Sequence, residues 1–272
     1  MMTLNEDRSF TRVVLPGVSK ADLHIHTCLS DGKPTVEQVV DYVHKNTDLA
    51  VIAITDHNCI DGGYEAQKLV KEKGYDFEVI IGEEVSALEG HIVALFIKEV
   101  IPPCLTAKET IRKIHEQGGL AFAAHPFYHT RFKSPQYISM DGVGAVTLIR
   151  EKFDGIEIVN ATPSFGPENL KAKYINRTLT FKAELGNSDA HIVEAIGMGF
   201  TLFDGKTAED LKQAILTEQT QAFYRNWRWN VLGLFRYAYF FIPKVWRFGF
   251  HVLKHGLSRK EPDVFNLPKD YK

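Results

Sequence analysis

The sequence predicts an α/β architecture, either a closed α/β barrel or an open doubly wound sheet. Three observations predict it. From about residue 20 to 218, short apolar runs alternate with longer amphipathic ones, the order strand, helix, strand. The apolar runs are β-branched or aromatic and mostly continuous, as in parallel strands covered on both faces. The 272 residues suit one large domain with a modest appendage.

In chain order, the strand candidates are Leu49–Thr55, Phe77–Ile81, His91–Ile97, Leu120–Ala124 and Phe153–Val159. Helices are announced by capping boxes, in which the cap hydroxyl and a side chain three residues on satisfy each other's backbone N–H. Thr35-x-x-Gln38 after Pro34 opens a helix to about Asn46. Thr106-x-x-Glu109 opens one to Gln117, stopped by Gly118-Gly119. Thr207-x-x-Asp210 opens one to about Glu218. No internal repeat or low-complexity tract is visible.

Composition divides the chain. Residues 219–260 contain no Asp or Glu, eight Lys and Arg, all three tryptophans and 12 of the 31 aromatics. The formal net charge of -2 is therefore the sum of an acidic body, -9 over residues 1–218, a +8 stretch, and -1 over 261–272. The expected organisation is a lead-in (1–19), a catalytic domain (20–218) and a basic aromatic extension (219–272). The first twenty residues carry Glu6 and Asp7 and lack the apolar core of a signal peptide. No apolar run reaches the roughly 18 residues that span a bilayer. Val231–Pro243 is short and broken by Arg236. Three cysteines (Cys28, Cys59, Cys104) without a CxxC disfavour a disulfide framework. The expected location is the cytoplasm, with association at a membrane surface open to the extension.

The histidines gather at strand ends. Asp22-Leu-His24-Ile-His26 places two imidazoles two residues apart, on one side of an extended chain, where both reach one ion. Asp31 follows in Ser30-Asp31-Gly32. The next strand ends Thr55-Asp56-His57-Asn58, the third Gly82-Glu83-Glu84-Val85-Ser86, and the fifth Ala124-His125-Pro126. Asn187-Ser188-Asp189-Ala190-His191 supplies another pair. Ligands of α/β sheets bind at the carboxyl ends of strands. His91 stands at the start of its strand and must approach from a neighbouring strand's start or loop. Buried together without cations, these acids would repel one another and cost much to desolvate. Histidine and carboxylate without cysteine suit Zn²⁺, Mn²⁺ or Fe. Nine ligands are too many for one ion, so two or three divalent ions sharing a bridging carboxylate are expected. Such clusters catalyse hydrolysis of phosphate or amide bonds.

At these residues the sequence resembles the PHP (polymerase and histidinol phosphatase) family, through DLHIHT (22–27), SDG (30–32), ITDHN (54–58), GEEVS (82–86), GHIVAL (90–95), AHP (124–126) and NSDAH (187–191). The resemblance covers about residues 20–218. It implies a distorted barrel of seven parallel strands with helices outside, and three ion groupings: His24, His26, Glu84 and Asp189; Glu84, His91 and His125; Asp31, His57 and His191. Glu84 would bridge, being two residues before the Ser, although Glu83 stands beside it. All nine would be catalytic, with a metal-activated hydroxide attacking phosphorus. Asp22 and Asp56 would stand behind the ligands, Asp56 orienting a ligand histidine. Asp31, where other members carry His, resembles the branch of small phosphoesterases acting on nucleotides and short oligonucleotides. Residues 197–216 resemble that branch's small extension.

The leading expectation is thus a metal-dependent phosphoesterase acting on a nucleotide, nucleoside 3′,5′-bisphosphate or short oligonucleotide. A histidinol-phosphate-type or other small-molecule phosphatase is the alternative. Substrate phosphates need cations, and Arg131, with His129 and Arg177, are the candidates. For residues 219–260 the alternatives are packing or oligomer contact, a membrane surface, or nucleic acid.

Overall fold

The computed structural model describes residues 17–128, 142–225, 235, 236, 238 and 239. The elements in order are β1 (Val18–Asp22), α1 (Val36–Asn46), β2 (Val51–Ile54), α2 (Asp61–Lys73), β3 (Glu78–Ala87), β4 (Gly90–Leu95), α3 (Ala107–Glu116), β5 (Leu120–Ala123), α4 (Gly144–Arg150), β6 (Gly155–Asn160), α5 (Gly166–Ile175), β7 (Ala183–Asn187), β8 (Gly199–Asp204), α6 (Ala208–Leu216) and β9 (Gln221–Tyr224). The three capping boxes form as read, at Thr35, Thr106 and Thr207.

The strands form one nine-stranded sheet, ordered β7-β6-β5-β4-β3-β2-β1-β8-β9, curled into a nearly closed barrel. Parallel pairs join β1 to β2, β2 to β3, β5 to β6 and β6 to β7. The sequence reads the His91 strand as parallel; β4 is instead antiparallel to both β3 and β5. Only Leu88 and Glu89 separate β3 from β4, and a two-residue link makes a hairpin, whereas a parallel return needs a dozen residues or more. β3 also runs past the predicted end at Ile81. It pairs with β2 over Glu78–Ile81 and with β4 over Gly82–Ala87. β9 falls inside 219–272 and pairs with β8, so the sheet continues a few residues past the compositional break at 218.

Alternation along the strands sorts the core. Val51, Ala53, Ile80, Val93, Leu95, Leu120 and Phe122 meet on the inner face, joined by Leu211, Ala214 and Ile215 of α6. Ile52 and Ile54 pack outward on Val36, Val39, Val40 and Val43 of α1. Ile92, Ala94, Ala121, Ala123 and Ile156 pack on Ile111 and Ile114 of α3. The seam is closed by a side chain. Thr201 Oγ1, buried on β8, bonds both the N–H (3.0 Å) and the C=O (2.9 Å) of Gly186 on β7. A Cβ at Gly186 would lie 2.6 Å from Phe200 O and 2.8 Å from Phe223 N, so only glycine admits β8 and β9 this closely. Among the described residues no helix is long and apolar enough to cross a membrane.

Candidate metal centre

Beyond β1 the chain stays extended. Ile25 bridges Ala190 in parallel, Thr55 N–H donates to Ile25 O, and His26 N–H donates to Ala190 O. Leu23 and Ile25 are buried in hydrophobic clusters, and His24 and His26 project together. Asp31 rides on a tight turn in which Thr27 O accepts from Ser30 N–H and Gly32 N–H. Gly32 is obligatory there, since a Cβ would fall 2.6 Å from His26 O. Lys33 N–H then bonds His191 O, tying the SDG turn to the NSDAH loop. His57 follows β2 and bridges Glu84 in parallel. His125 and Asp189 follow β5 and β7 with positive φ, 28° and 51°. For residues other than glycine such backbone costs of order 1–3 kcal/mol and collects at functional sites.

The antiparallel hairpin explains His91. Its register puts His91 opposite Ser86, so the start of β4 lies where the neighbouring parallel strands end. Five imidazoles then surround the Glu84 carboxylate. Oε2 lies 3.2 Å from His24 Nε2, 3.1 Å from His26 Nε2 and 3.3 Å from His57 Nδ1. Oε1 lies 2.8 Å from His91 Nδ1 and 3.1 Å from His125 Nε2. Asp189 Oδ1 approaches His24, His26 and His191 at 3.3–3.6 Å. Asp31 Oδ1 is 3.0 Å from His191 Nε2 and 3.8 Å from His57 Nε2. All nine candidate ligands lie in this one cluster.

Their donor atoms fall into groups within 4.8 Å of one another: His26, Asp31, His57 and His191; His24, His26 and Glu84; His24, His125 and Asp189; His57, Glu84 and His91. The arrangement fits cations. His24 Nε2, both nitrogens of His26, His57 Nδ1 and both nitrogens of His91 are buried without a hydrogen bond, although carboxylates stand near them. Atoms that converge without donor–acceptor alignment are arranged as ligands are, and leaving so many buried polar atoms unsatisfied would be costly otherwise.

The electrostatics point the same way. Burial works against charge throughout. Even so, the imidazoles hold Asp31, Glu84 and Asp189 well below the ordinary carboxylate range. Burial opposes the charge on His24, yet Glu84, Asp189 and Glu157 raise its pKa well above normal. His26 is raised to about 10 against its burial by Asp189 and Glu84. His57 is pushed down to about 3 by burial, with His26 and His91 adding to the effect. The three carboxylates stay ionised and demand positive charge at their centre, from protons or from ions.

The remaining candidates separate. Glu83 points away from the cluster and accepts from Ile101 N–H (2.8 Å); Glu84 is the one among the histidines. Among the described residues, no hydrogen bond or ion pair joins Asp56 to a histidine side chain. Asp56 accepts from Thr27 N–H (2.7 Å), Thr27 Oγ1–H (2.7 Å) and Ser30 Oγ–H (2.6 Å). The residue expected to orient a ligand histidine thus bonds Thr27, next to the ligand His26, and the SDG turn. Asp22 accepts from Ser188 N–H (3.0 Å) and Gly197 N–H (2.8 Å), holding the NSDAH loop; burial lifts its pKa to about 6. Arg177 lies away from the cluster, paired with Glu184 at the opening of β7 (2.6 and 2.8 Å), whereas Asp189 and His191 follow that strand's end. His129 and Arg131 lie outside the described residues. So does most of 226–272, apart from the four residues noted, where Arg236 pairs with Glu194. Cys28, Cys59 and Cys104 are free thiols.

Three buried residues stand behind the ligands: Glu157 and Asn160, which are not among the candidates above, and Asn187, named there only as part of NSDAH. Glu157 is the one carboxylate inside the apolar run Ile156–Val159, which is the signal that could have found it.

Barrel and cluster together match the architecture of the PHP-like metal-dependent phosphoesterase family. The chain belongs to the PHP family. The PHP domain model matches residues 22–100 and the PHP-associated model residues 166–220. An uncharacterized protein of Methanocaldococcus jannaschii is 50% identical over 118 residues, covering 40% of this chain and 68% of that protein. A 3′,5′-nucleoside bisphosphate phosphatase of Chromobacterium violaceum is 34% identical over 100 residues, covering 35% of this chain and 34% of the enzyme, about a third of its length. The fold is similar to that of a two-domain Bacteroides vulgatus protein containing a predicted PHP-like metal-dependent phosphoesterase, with TM-score 0.58 and 20% identity over 76% of this chain and 65% of that one.

Proposed function

We propose that this chain hydrolyses a phosphate ester of a nucleotide, a nucleoside 3′,5′-bisphosphate or a short oligonucleotide, with two or three divalent ions held by the nine clustered ligands. The observation that carries the reading is the Glu84 carboxylate centred among five imidazoles. Divalent ions, when bound, acidify water and neutralise charge on phosphate oxygens. Zn, Mn and Fe all suit the donor set.

The chain's own residues supply the rest. Glu84 presents its two oxygens to different histidines and so ties two parts of the cluster together. Asp31 and Asp189 anchor its two edges, on loops joined by the Lys33–His191 bond. Cys28 is exposed, and the reading requires no covalent nucleophile. The nucleotide preference is supported by Asp31 and by similarity to the bisphosphate phosphatase.

The test is elemental analysis of the protein as isolated, alongside a panel of 3′,5′-bisphosphates, oligonucleotides, phosphomonoesters and histidinol phosphate. Turnover of the nucleotide substrates that is lost in His26→Ala supports the proposal. Equal turnover by metal-loaded variant and parent defeats it, and a preference for histidinol phosphate would transfer the site to small-molecule phosphatase chemistry.

A further inference from the structure

We infer that Glu157 and Asn160 are positioning residues that set the tautomer of His24 and the orientation of Asp189, and so govern the ion those two ligands share. The inference rests on the metal reading above.

Glu157 is fully buried on β6. Its carboxylate faces four nitrogens. Oε1 meets His24 Nδ1 at 3.1 Å and Asn187 Nδ2 at 3.0 Å; Oε2 meets His125 backbone N at 2.7 Å and Asn160 Nδ2 at 2.9 Å. Neither amide can be turned the other way. Asn187 Oδ1 already accepts from Leu23 N–H (3.0 Å), and Asn160 Oδ1 accepts from Thr162 N–H (2.9 Å). Three of the four partners are therefore fixed donors. The four nitrogens match the roughly four lone-pair sites of a carboxylate, an arrangement that places a hydrogen on His24 Nδ1. His24 Nε2 is then the atom turned to Glu84 (3.2 Å) and Asp189 (3.6 Å), where an ion would take the place of its proton. A carboxylate behind a ligating imidazole fixes its ring and raises its basicity.

The backbone of β6 is shaped for this. Glu157 and Asn160, three residues apart, would face opposite sides of a regular strand. The register of β6 against β7 shifts between Glu157 and Val159, and such irregularities re-aim side chains beside active sites. Both side chains thereby reach the same interior. Asn169 of α5 clamps Asn160 from outside, accepting its N–H (3.0 Å) and donating to its C=O (2.8 Å). The second amide hydrogen of Asn160 goes to Asp189 Oδ2 (3.0 Å), which leaves Oδ1 facing His24, His26 and His191. The ligands that Glu157 and Asn160 bond are His24, Asp189 and, through its backbone N–H, His125, three residues whose donor atoms form one group, so the effect falls on that part of the cluster.

The experiment is calorimetric titration of the metal-free protein with Zn²⁺ and with Mn²⁺, with metal-per-chain analysis and thermal melts of metal-free and loaded forms. Gln at position 157 has one acceptor oxygen for four donors. Glu157→Gln is expected to weaken one class of sites about 10–100-fold, the range for residues behind metal ligands, and to lose that ion on dialysis while the remainder stays bound. Asn160→Ala keeps the His24–Glu157 bond and frees Asp189; it should weaken the same class by less, and it decides the question if Glu157→Gln does not fold. A general structural role would lower the melting temperature of the metal-free form and leave the titrations alike. Unchanged affinity and stoichiometry in both variants, with a parent that loads normally, overturns the inference alone. No uptake by the parent overturns the metal reading and this inference with it.

Discussion

Glu84 Oε1 stands 2.8 Å from His91 Nδ1 because β4 doubles back along β3 with Ser86 opposite His91. One hairpin thus delivers both the central carboxylate and a histidine that no parallel strand end could supply. Glu84 is met by five imidazoles and His91 by one carboxylate, so their replacements should differ. Glu84→Gln keeps the shape but removes the charge that the surrounding histidines or ions balance. Bound metal should fall by more than one ion per chain and turnover by more than about 100-fold, beyond the loss typical of residues behind the ligands. His91→Ala should release a single ion. Elemental analysis after dialysis separates the two; equal losses would mean that Glu84 is not shared.

Asp56 should act through the turn that carries Asp31. Asp56→Ala strips the acceptor from Thr27 N–H, Thr27 Oγ1–H and Ser30 Oγ–H, a cost of about 4 kcal/mol or more, since bonds to charged groups contribute roughly 1.5–3 kcal/mol each and Asp56 and Thr27 are fully buried. Asp56→Asn keeps one oxygen for two of these donors, and Thr27 can rotate its hydroxyl to accept from the new amide, so it should cost about 1 kcal/mol. Metal titration should show the ion at Asp31, His57 and His191 weakened more than the one at His24. An even loss at all sites would instead mean that Asp56 acts on the ligand histidines directly.

What could be read in the sequence was local. Thr35 and Gln38, or Thr106 and Glu109, satisfy each other across one turn, and HxH on an extended chain faces one way whatever surrounds it. What escaped depends on partners far along the chain. The place of His91 follows from the direction of β4, and the part played by Glu157 follows from meeting His24, 133 residues away. α2 was hidden for a related reason. α2 is not among the helices that capping boxes announce, and Gly62-Gly63 stand in its first turn. A Cβ on Gly62 would lie 2.6 Å from Asp56 Oδ2, and one on Gly63 would lie 3.0 Å from Ile81 Cα. These glycines let the helix sit close against the sheet, which no local pattern discloses.

Thr201 should hold the barrel closed without touching the metal chemistry. Thr201→Val is nearly isosteric but leaves the buried N–H and C=O of Gly186 without their partner. At about 1–3 kcal/mol for each unsatisfied group, the loss should be about 2–5 kcal/mol in denaturant unfolding of the metal-free protein. Thr201→Ser retains the hydroxyl and should cost under about 1.5 kcal/mol, the scale of one buried methyl. Metal stoichiometry should match the parent in both. Equal stability of the valine variant and the parent would show that the seam is held elsewhere.

Glu83 should make stability depend on pH in a direction opposite to that of most carboxylates. Burial raises its pKa from 4.5 to about 8, with the Ile101 N–H opposing only in part. Below the unfolded value of 4.5 both states hold the proton, and Glu83 costs the fold nothing as a charge. Between 4.5 and about 8 the folded state keeps a proton that the unfolded state has released, so stability falls as pH rises. Above about 8 both are ionised and the dependence stops, with a buried charge left in place. Gln at this position accepts the same Ile101 N–H and cannot ionise. It adds an amide where Oε1 has no hydrogen-bond partner, a pH-independent cost of about 1–3 kcal/mol. The stability of Glu83→Gln minus that of the parent should therefore be level below pH 4.5, rise steadily to about pH 8, and level off again. Because both proteins carry the same histidine cluster, its titration cancels in the difference. Urea unfolding in chelator across pH 4–9 measures it directly, and a difference that stays constant through that window would mean that Glu83 is ionised in the fold at neutral pH.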